Sequence, residues 1–214
     1  MSQAEKEAIS VLTAAIGKKY VLTDQKSVEF YSMDVYRSFE TPIAVVQPGS
    51  VEELQEVVRV ATGLGIAIVT RGGGASYTDG YLATTPKSIT IDTSRLNKIV
   101  EINEEDMLVT VEPGVTWAEM AAALAEKNLR TPFWGPFSGL KATVGGSTSQ
   151  NSLSMGTSAY GGSPESILCY DIVLPNGKIL KTGSSSMENS PAFFRHYGPD
   201  LTGLFSGDAG APVS

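Results

Sequence analysis

The sequence predicts an α+β fold in two lobes: a small lobe containing a β-α-β unit and a larger, mostly antiparallel lobe carrying helices. Three observations predict it. An apolar run at 42–47, a helical stripe at 50–64 and a second apolar run at 66–70 read as strand, helix, strand. Two alternating apolar segments, 99–103 and 107–111, flank the acidic Glu104-Glu105-Asp106 and read as a hairpin. A second hairpin is signalled at 167–181 around Pro175-Asn176-Gly177.

Each element has a local cause. Ala4, Ile9, Leu12 and Ile16 share one helical face near the start, and Gly17 is a plausible stop. Residues 18–41 carry mixed character and read as loop-rich. In the β-α-β unit, Ser50 is a good helix cap, with Glu53 three residues on to complete a capping box. Leu54, Val57, Val58, Ala61 and Leu64 form the apolar stripe, and Gly65 ends it. The flanking strands should then run parallel. Residues 88–92 alternate as a strand. Pro113-Gly114 turns the chain into a helix with Thr116 as cap and Glu119 completing its box. Residues 131–163 and 182–199 read as long loops rich in small residues, and 201–205 as one helical turn. The division is a lead-in at 1–41, the small lobe at 42–93 and the larger lobe at 94–214.

Composition excludes several roles. The chain has 214 residues, a hydrophobic fraction of 42% and a charged fraction of 18%, which is globular. Sixteen Lys and Arg against 23 Asp and Glu leave a net charge of −7, which argues against nucleic-acid binding by phosphate neutralisation. A small anion remains possible, because a few backbone N–H groups can hold one. Cys169 is the single cysteine, so neither an intrachain disulfide nor a cysteine-based zinc site can form, and no metal is expected. The first residues are too polar for a signal peptide, and no apolar run approaches the ~20 residues of a membrane span. A cytoplasmic protein is the expectation.

Two segments invite a ligand. The first is VTRGGGASYTDG at 69–80, directly after the second strand of the parallel unit. Glycines admit backbone conformations closed to other residues and let a ligand reach N–H groups without a Cβ in the way. Successive N–H groups can form a nest for oxyanions, and strand carboxyl ends are where ligands gather in α/β sheets. A plain turn fits the glycines equally well. The pattern is neither Gly-x-Gly-x-x-Gly nor a Walker A loop. The second segment is KATVGGSTSQN at 141–151 followed by MGTSAYGG at 155–162, rich in hydroxyls and glycines; alone it also reads as loop.

Taken in order, RGGGAS, EPGVTW at 112–117, TVGG, TSAYG and DIVLPNGKIL resemble one family. It is the FAD-binding domain of the vanillyl-alcohol oxidase and p-cresol methylhydroxylase (PCMH) type, nearest to its glycolate oxidase, D-lactate dehydrogenase and D-2-hydroxyglutarate dehydrogenase branch. The resemblance covers about residues 42–211. It implies FAD as cofactor and oxidation of a 2-hydroxy acid as the family chemistry. It further implies that Arg71, Gly72, Gly73, Gly74, Ala75 and Ser76, with the adjoining Tyr77, wrap the diphosphate. Pro136 and Val144-Gly145-Gly146 line the ribityl and diphosphate side. Ser149, Gly156, Ser158, Tyr160 and Gly161 follow the flavin and its chain, and Ile172 and Val173 hold the adenine through backbone groups.

Two departures from that family stand out. Some members attach flavin through a histidine in the first loop, whereas Ala75 falls near that place and His196 is the only histidine. Non-covalent FAD is therefore expected. Family enzymes also continue into a substrate domain, while this chain stops at LFSGDAGAPVS. A chain cut before that domain, a disrupted gene and a free-standing FAD module are the three readings. A partner subunit or the missing domain would then supply the substrate side, and no catalytic residue is assigned. His196 reads as a surface residue rather than a proton carrier. Ser163 does not fit the Gly-x-Ser-x-Gly elbow of a hydrolase. Trp134 could sit near the flavin, and Trp117 reads as packing. The alternatives are a flavin-free module serving as a binding or assembly subunit, and a reductase of the cell-wall precursor type.

Overall fold

A computed structural model describes residues 3–132, 135, 137–196 and 198–209. Trp134, Pro136 and residues 210–214, including Pro212, lie outside them. The chain divides into two compact units. The first runs through Leu96 and takes back Val173–Ile179; the second comprises Asn97–Ile172 and Leu180–Ala209.

The first unit is built on a four-stranded sheet. Its strands are β1 (Val21–Leu22), β2 (Ala44–Val46), β3 (Ala67–Arg71) and β4 (Ser88–Asp92), in the order β1-β2-β4-β3. β1 is antiparallel to β2, while β2 and β3 both run parallel to β4. The strand–helix–strand unit is thus parallel, with β4 inserted between its two strands. That position explains why all five residues of β4 are buried although its sequence alternates apolar and polar.

Helices α1 (Gln3–Ile16) and α3 (Val51–Gly63) cover one face of the sheet. Ala8, Leu12 and Ile16 meet Val57, Val58 and Ala61 above Ala44, Val46, Ile89 and Ile91. Removing the Leu, Ile and Val side chains among these from water contributes roughly 1.5–3 kcal/mol each. The other face carries Thr90 and Asp92 on β4 and Arg71 on β3, and helix α2 (Gln25–Tyr31) brings Tyr31 to it. The 18–41 segment is therefore more ordered than its mixed composition implies. The signal was there in Asp24, whose carboxylate caps α2 by accepting from the Ser27 N–H at 3.0 Å.

The α3 cap differs in one detail from the expected box. Ser50 accepts from the Glu53 N–H at 3.2 Å, but the Glu53 carboxylate reaches Gly49 N at 2.6 Å rather than the cap residue.

The second unit opens with the hairpin of β5 (Ile99–Asn103) and β6 (Leu108–Val111), irregular between Ile99 and Glu101. Helix α4 (Trp117–Ala125) follows with the complete Thr116/Glu119 box. Two short helices, α5 (Val144–Ser149) and α6 (Thr157–Tyr160), lie inside the segment that reads as irregular. Glycine and hydroxyl content concealed them; the helix start is marked only by Thr143, which accepts from Gly146 N at 3.2 Å. β7 (Asp171–Val173) and β8 (Ile179–Lys181) form the last hairpin, and α7 (Leu201–Leu204) is the expected single turn.

Candidate functional site

In the first unit the glycine loop leaves the sheet at Arg71, the last residue of β3. The Arg71 side chain does not project from the loop; it is 7% exposed and turns beneath it. Its Nη1 donates to the carbonyls of Phe30 (3.3 Å) and Met33 (3.0 Å). Its guanidinium carbon lies 5.1, 4.9 and 4.8 Å from the ring centres of Phe30, Tyr31 and Tyr81. A desolvated cation enclosed by three aromatic faces is strongly held.

The loop rests on this cluster. Gly74 has φ +65°, a conformation that side chains rarely adopt, and a Cβ there would lie 2.6 Å from Arg71 Nη2. The Tyr81 hydroxyl is 2.9 Å from the carbonyl oxygens of both Gly74 and Ser76. Burial pushes the Tyr81 hydroxyl above its ordinary pKa, so it stays a donor. Meanwhile the N–H groups of Gly73, Gly74, Ala75 and Ser76 donate to no protein acceptor among the described residues. Four successive amides are therefore available to an anion. Tyr77, 70% exposed, stands at the rim, and the Ser76 and Thr78 hydroxyls are 2.8 Å apart.

A second tie fixes the far side of this loop. Asp34 accepts from the N–H groups of Tyr36 and Arg37, both at 2.7 Å, and from that of Asp79 at 3.3 Å. The Arg37 backbone N–H, foremost among these donors, holds the Asp34 carboxyl below its ordinary value. Arg37 in turn clasps the Asp79 carboxylate through Nε at 2.7 Å and through Nη2.

In the second unit the amides of the VGG stretch are already used. Val144 N donates to Val115 O (2.8 Å), Gly145 N to Pro113 O (3.1 Å) and Gly146 N to Thr143 Oγ1. Gly145 has a packing reason as well, since a Cβ would lie 2.7 Å from Pro113 Cβ and 2.8 Å from its carbonyl oxygen. EPGVTW and TVGG, far apart in sequence, are thus two sides of one contact. Ser149 donates to Asp208 Oδ1 at 2.9 Å, and Ala209 N donates to Ser149 O at 2.8 Å. Ser158 and Tyr160 are exposed on α6, between Gly156 (φ 105°) and Gly161 (φ 80°). Ile172 and Val173 are half-buried in β7; Val173 belongs to the first unit and packs within that unit's own core.

The remaining candidates have structural employment or none. Ser163 is buried and donates to Ser152 O at 2.9 Å. Trp117 donates from Nε1 to Ser147 Oγ at 2.7 Å, as a packing residue would. In the FFRHYGPD segment it is Arg195 that is engaged, with Asp200 and the Pro164 carbonyl, while His196 is exposed. Among the described residues no cluster of His, Cys, Asp or Glu could hold a metal ion, and no helix is long and apolar enough to cross a membrane.

The residues that sequence reasoning missed are the supports: Tyr31, Tyr81 and Asp92. Only their position gives them away. Asp92 ends a buried strand, where a lone carboxylate demands donors.

Residues 42–183 match the family described as FAD binding domain. The chain belongs to that FAD-binding domain family. Over 181 residues it is 30% identical to the glycolate oxidase subunit GlcD of Bacillus subtilis, covering 84% of this chain and 37% of that protein. It is 28% identical to the mitochondrial D-lactate dehydrogenase [cytochrome] of Arabidopsis thaliana, covering 97% and 35%. The crystal structure of p-cresol methylhydroxylase with substrate bound superposes with a TM-score of 0.81 at 25% identity, covering 96% and 41%. The PCMH-type α+β fold is thereby established, and the chain spans well under half the length of each of these relatives.

The residues of this FAD-binding domain fit the cofactor. A loop with three glycines and four amides that meet no acceptor among the described residues suits the two negative charges of a diphosphate, and the neighbouring Ser76 and Thr78 hydroxyls suit polar oxygens of the attached chain.

Proposed function

We propose that this chain is the cofactor domain of a flavin-dependent oxidoreductase acting on a 2-hydroxy acid, and that it holds FAD without a covalent bond. The reading is carried by the four amides of Gly73–Ser76, which meet no acceptor among the described residues and lie at the carboxyl end of a strand inside the matched family region. These amides take the diphosphate. Ala75 offers no nucleophile for a covalent link, and the single histidine, His196, lies far along the chain. Val144-Gly145-Gly146 acts by letting the backbone approach closely, since its N–H groups are engaged within the protein. Ile172 and Val173 present backbone groups to the adenine, which asks nothing of their side chains. When bound, FAD would supply the acceptor for the hydride, which carries both electrons removed from the hydroxy acid, while the hydroxyl proton leaves separately.

The substrate class follows from relatives named for glycolate, D-lactate and D-2-hydroxyglutarate. A further domain or partner subunit supplies the substrate side, and the cytoplasm is the proposed location. Titration of flavin-stripped protein with FAD tests the reading. One equivalent should bind saturably, quenching flavin fluorescence, while D-lactate and glycolate leave the bound flavin oxidised. Absence of saturable binding would overturn the cofactor role, and rapid bleaching by either acid would overturn the need for another domain.

A further inference from the structure

The geometry points to Arg71 as a positioning residue that presets the anion-binding loop from below without touching the anion. Among the described residues its guanidinium donates inward, to the carbonyls of Phe30 and Met33, and its ring contacts are to Phe30, Tyr31 and Tyr81. The Gly74 backbone lies close against it, since an added Cβ there would be 2.6 Å from Nη2 and 2.8 Å from Nε. The guanidinium is thus the floor on which the loop turns.

Tyr81 completes the device. Its ring stacks on Arg71, and its hydroxyl meets the carbonyls of Gly74 and Ser76. With those carbonyls directed to Tyr81, the intervening backbone is held in one conformation. A loop already ordered loses less entropy on binding, which is how preorganisation raises affinity. The buried cation adds a favourable field for an anion, but a field alone would be supplied equally by lysine. Lysine's compact ammonium cannot at once place a broad, flat cation within about 5 Å of three ring centres and donate to both carbonyls as Arg71 Nη1 does.

This inference rests on the proposed function only for the identity of the anion; the loop's order can be read without it. Backbone amide order parameters of Gly73–Ser76 by NMR, in the chain without FAD, are the first measurement. The wild type should show rigid values near about 0.85, and Arg71→Lys and Tyr81→Phe should fall toward about 0.6 or below at these residues while the sheet amides keep their values. FAD titration is the second, with Kd raised about tenfold in Arg71→Lys although the charge is kept. A wild-type loop already as mobile as in the variants overturns the inference, as does an Arg71→Lys protein with wild-type order and affinity. Should Arg71→Lys fail to fold, Tyr81→Phe decides by the same order parameters. A rigid wild-type loop that loosens in the variants, in a chain that binds no FAD, sinks the cofactor reading and leaves the positioning role standing.

Discussion

Arg71 and Asp92 face each other on the last rung of the β3–β4 ladder, and Tyr31 mediates between them. The Tyr31 ring lies under the guanidinium at 4.9 Å, and its hydroxyl donates to Asp92 Oδ2 at 2.5 Å. Burial, and then the Asp92 acceptor, raise the Tyr31 hydroxyl well above the usual tyrosine range, so it remains a donor. Gln47 Nε2 at 2.7 Å and the Ser94 N–H at 2.9 Å complete the carboxylate's partners. The loop and the sheet are joined by this one connected set of polar groups.

Removing the carboxylate should therefore be costly. Asp92→Ala leaves the Tyr31 and Gln47 donors stranded in a buried site, and the loss expected is about 3 kcal/mol. Urea unfolding of the purified chain measures it; a loss under about 1 kcal/mol would mean that water satisfies the network.

Gly74→Ala addresses the loop directly. The new methyl meets Arg71 and must adopt a left-handed backbone, so FAD affinity should fall by about tenfold or more. The Kd from fluorescence titration gives the answer, and an unchanged value would show that the loop can adapt.

Gly145→Ala tests the contact between EPGVTW and TVGG. Neither the Pro113 ring nor its carbonyl is a flexible side-chain end, so the strain should cost about 1–3 kcal/mol. A lowered melting temperature is the expected readout, because the site is built around backbone in van der Waals contact.

Asp34 predicts a pH effect of defined sign. Its carboxyl is held below the ordinary 3.8, so it takes up its proton at lower pH when folded than when unfolded. Its stabilisation is in full force above that ordinary value and is lost as pH falls through the lower folded value. Melting curves down an acid series should show a steeper decline for wild type than for Asp34→Asn. Parallel declines would show that the tie to Arg37 and Asp79 is immaterial.

Release of the flavin tests its mode of attachment. Acid precipitation of FAD-loaded protein should leave all the yellow colour in the supernatant, given alanine at position 75. Colour retained in the pellet would mean a covalent bond formed elsewhere.

The sequence showed most of what depends on periodicity and caps. α1, α3 and α4 could be read from their apolar stripes, and the β5–β6 hairpin from alternation around an acidic turn. The candidate loop was legible from its glycines and its place after β3. What governs it was not. Arg71 reads as an anion ligand from its neighbours in sequence, yet its surroundings come from residues 30–33 and 81, brought together only by the sheet. α5 stayed hidden because its residues have poor helix propensity and are held by tertiary contacts to Pro113 and Val115. Trp134 and Pro136 lie outside the described residues, so their implied roles stand as proposals.

The insertion of β4 between β2 and β3 also fixes an order of events. β2, α3 and β3 all leave the ribosome before the strand that joins them, and β3 has no other partner in its sheet. The glycine loop, spliced between β3 and β4, can take its shape only once residues 88–92 have docked. If this loop holds the cofactor as proposed, a nascent chain paused before Asp92 should be blind to flavin.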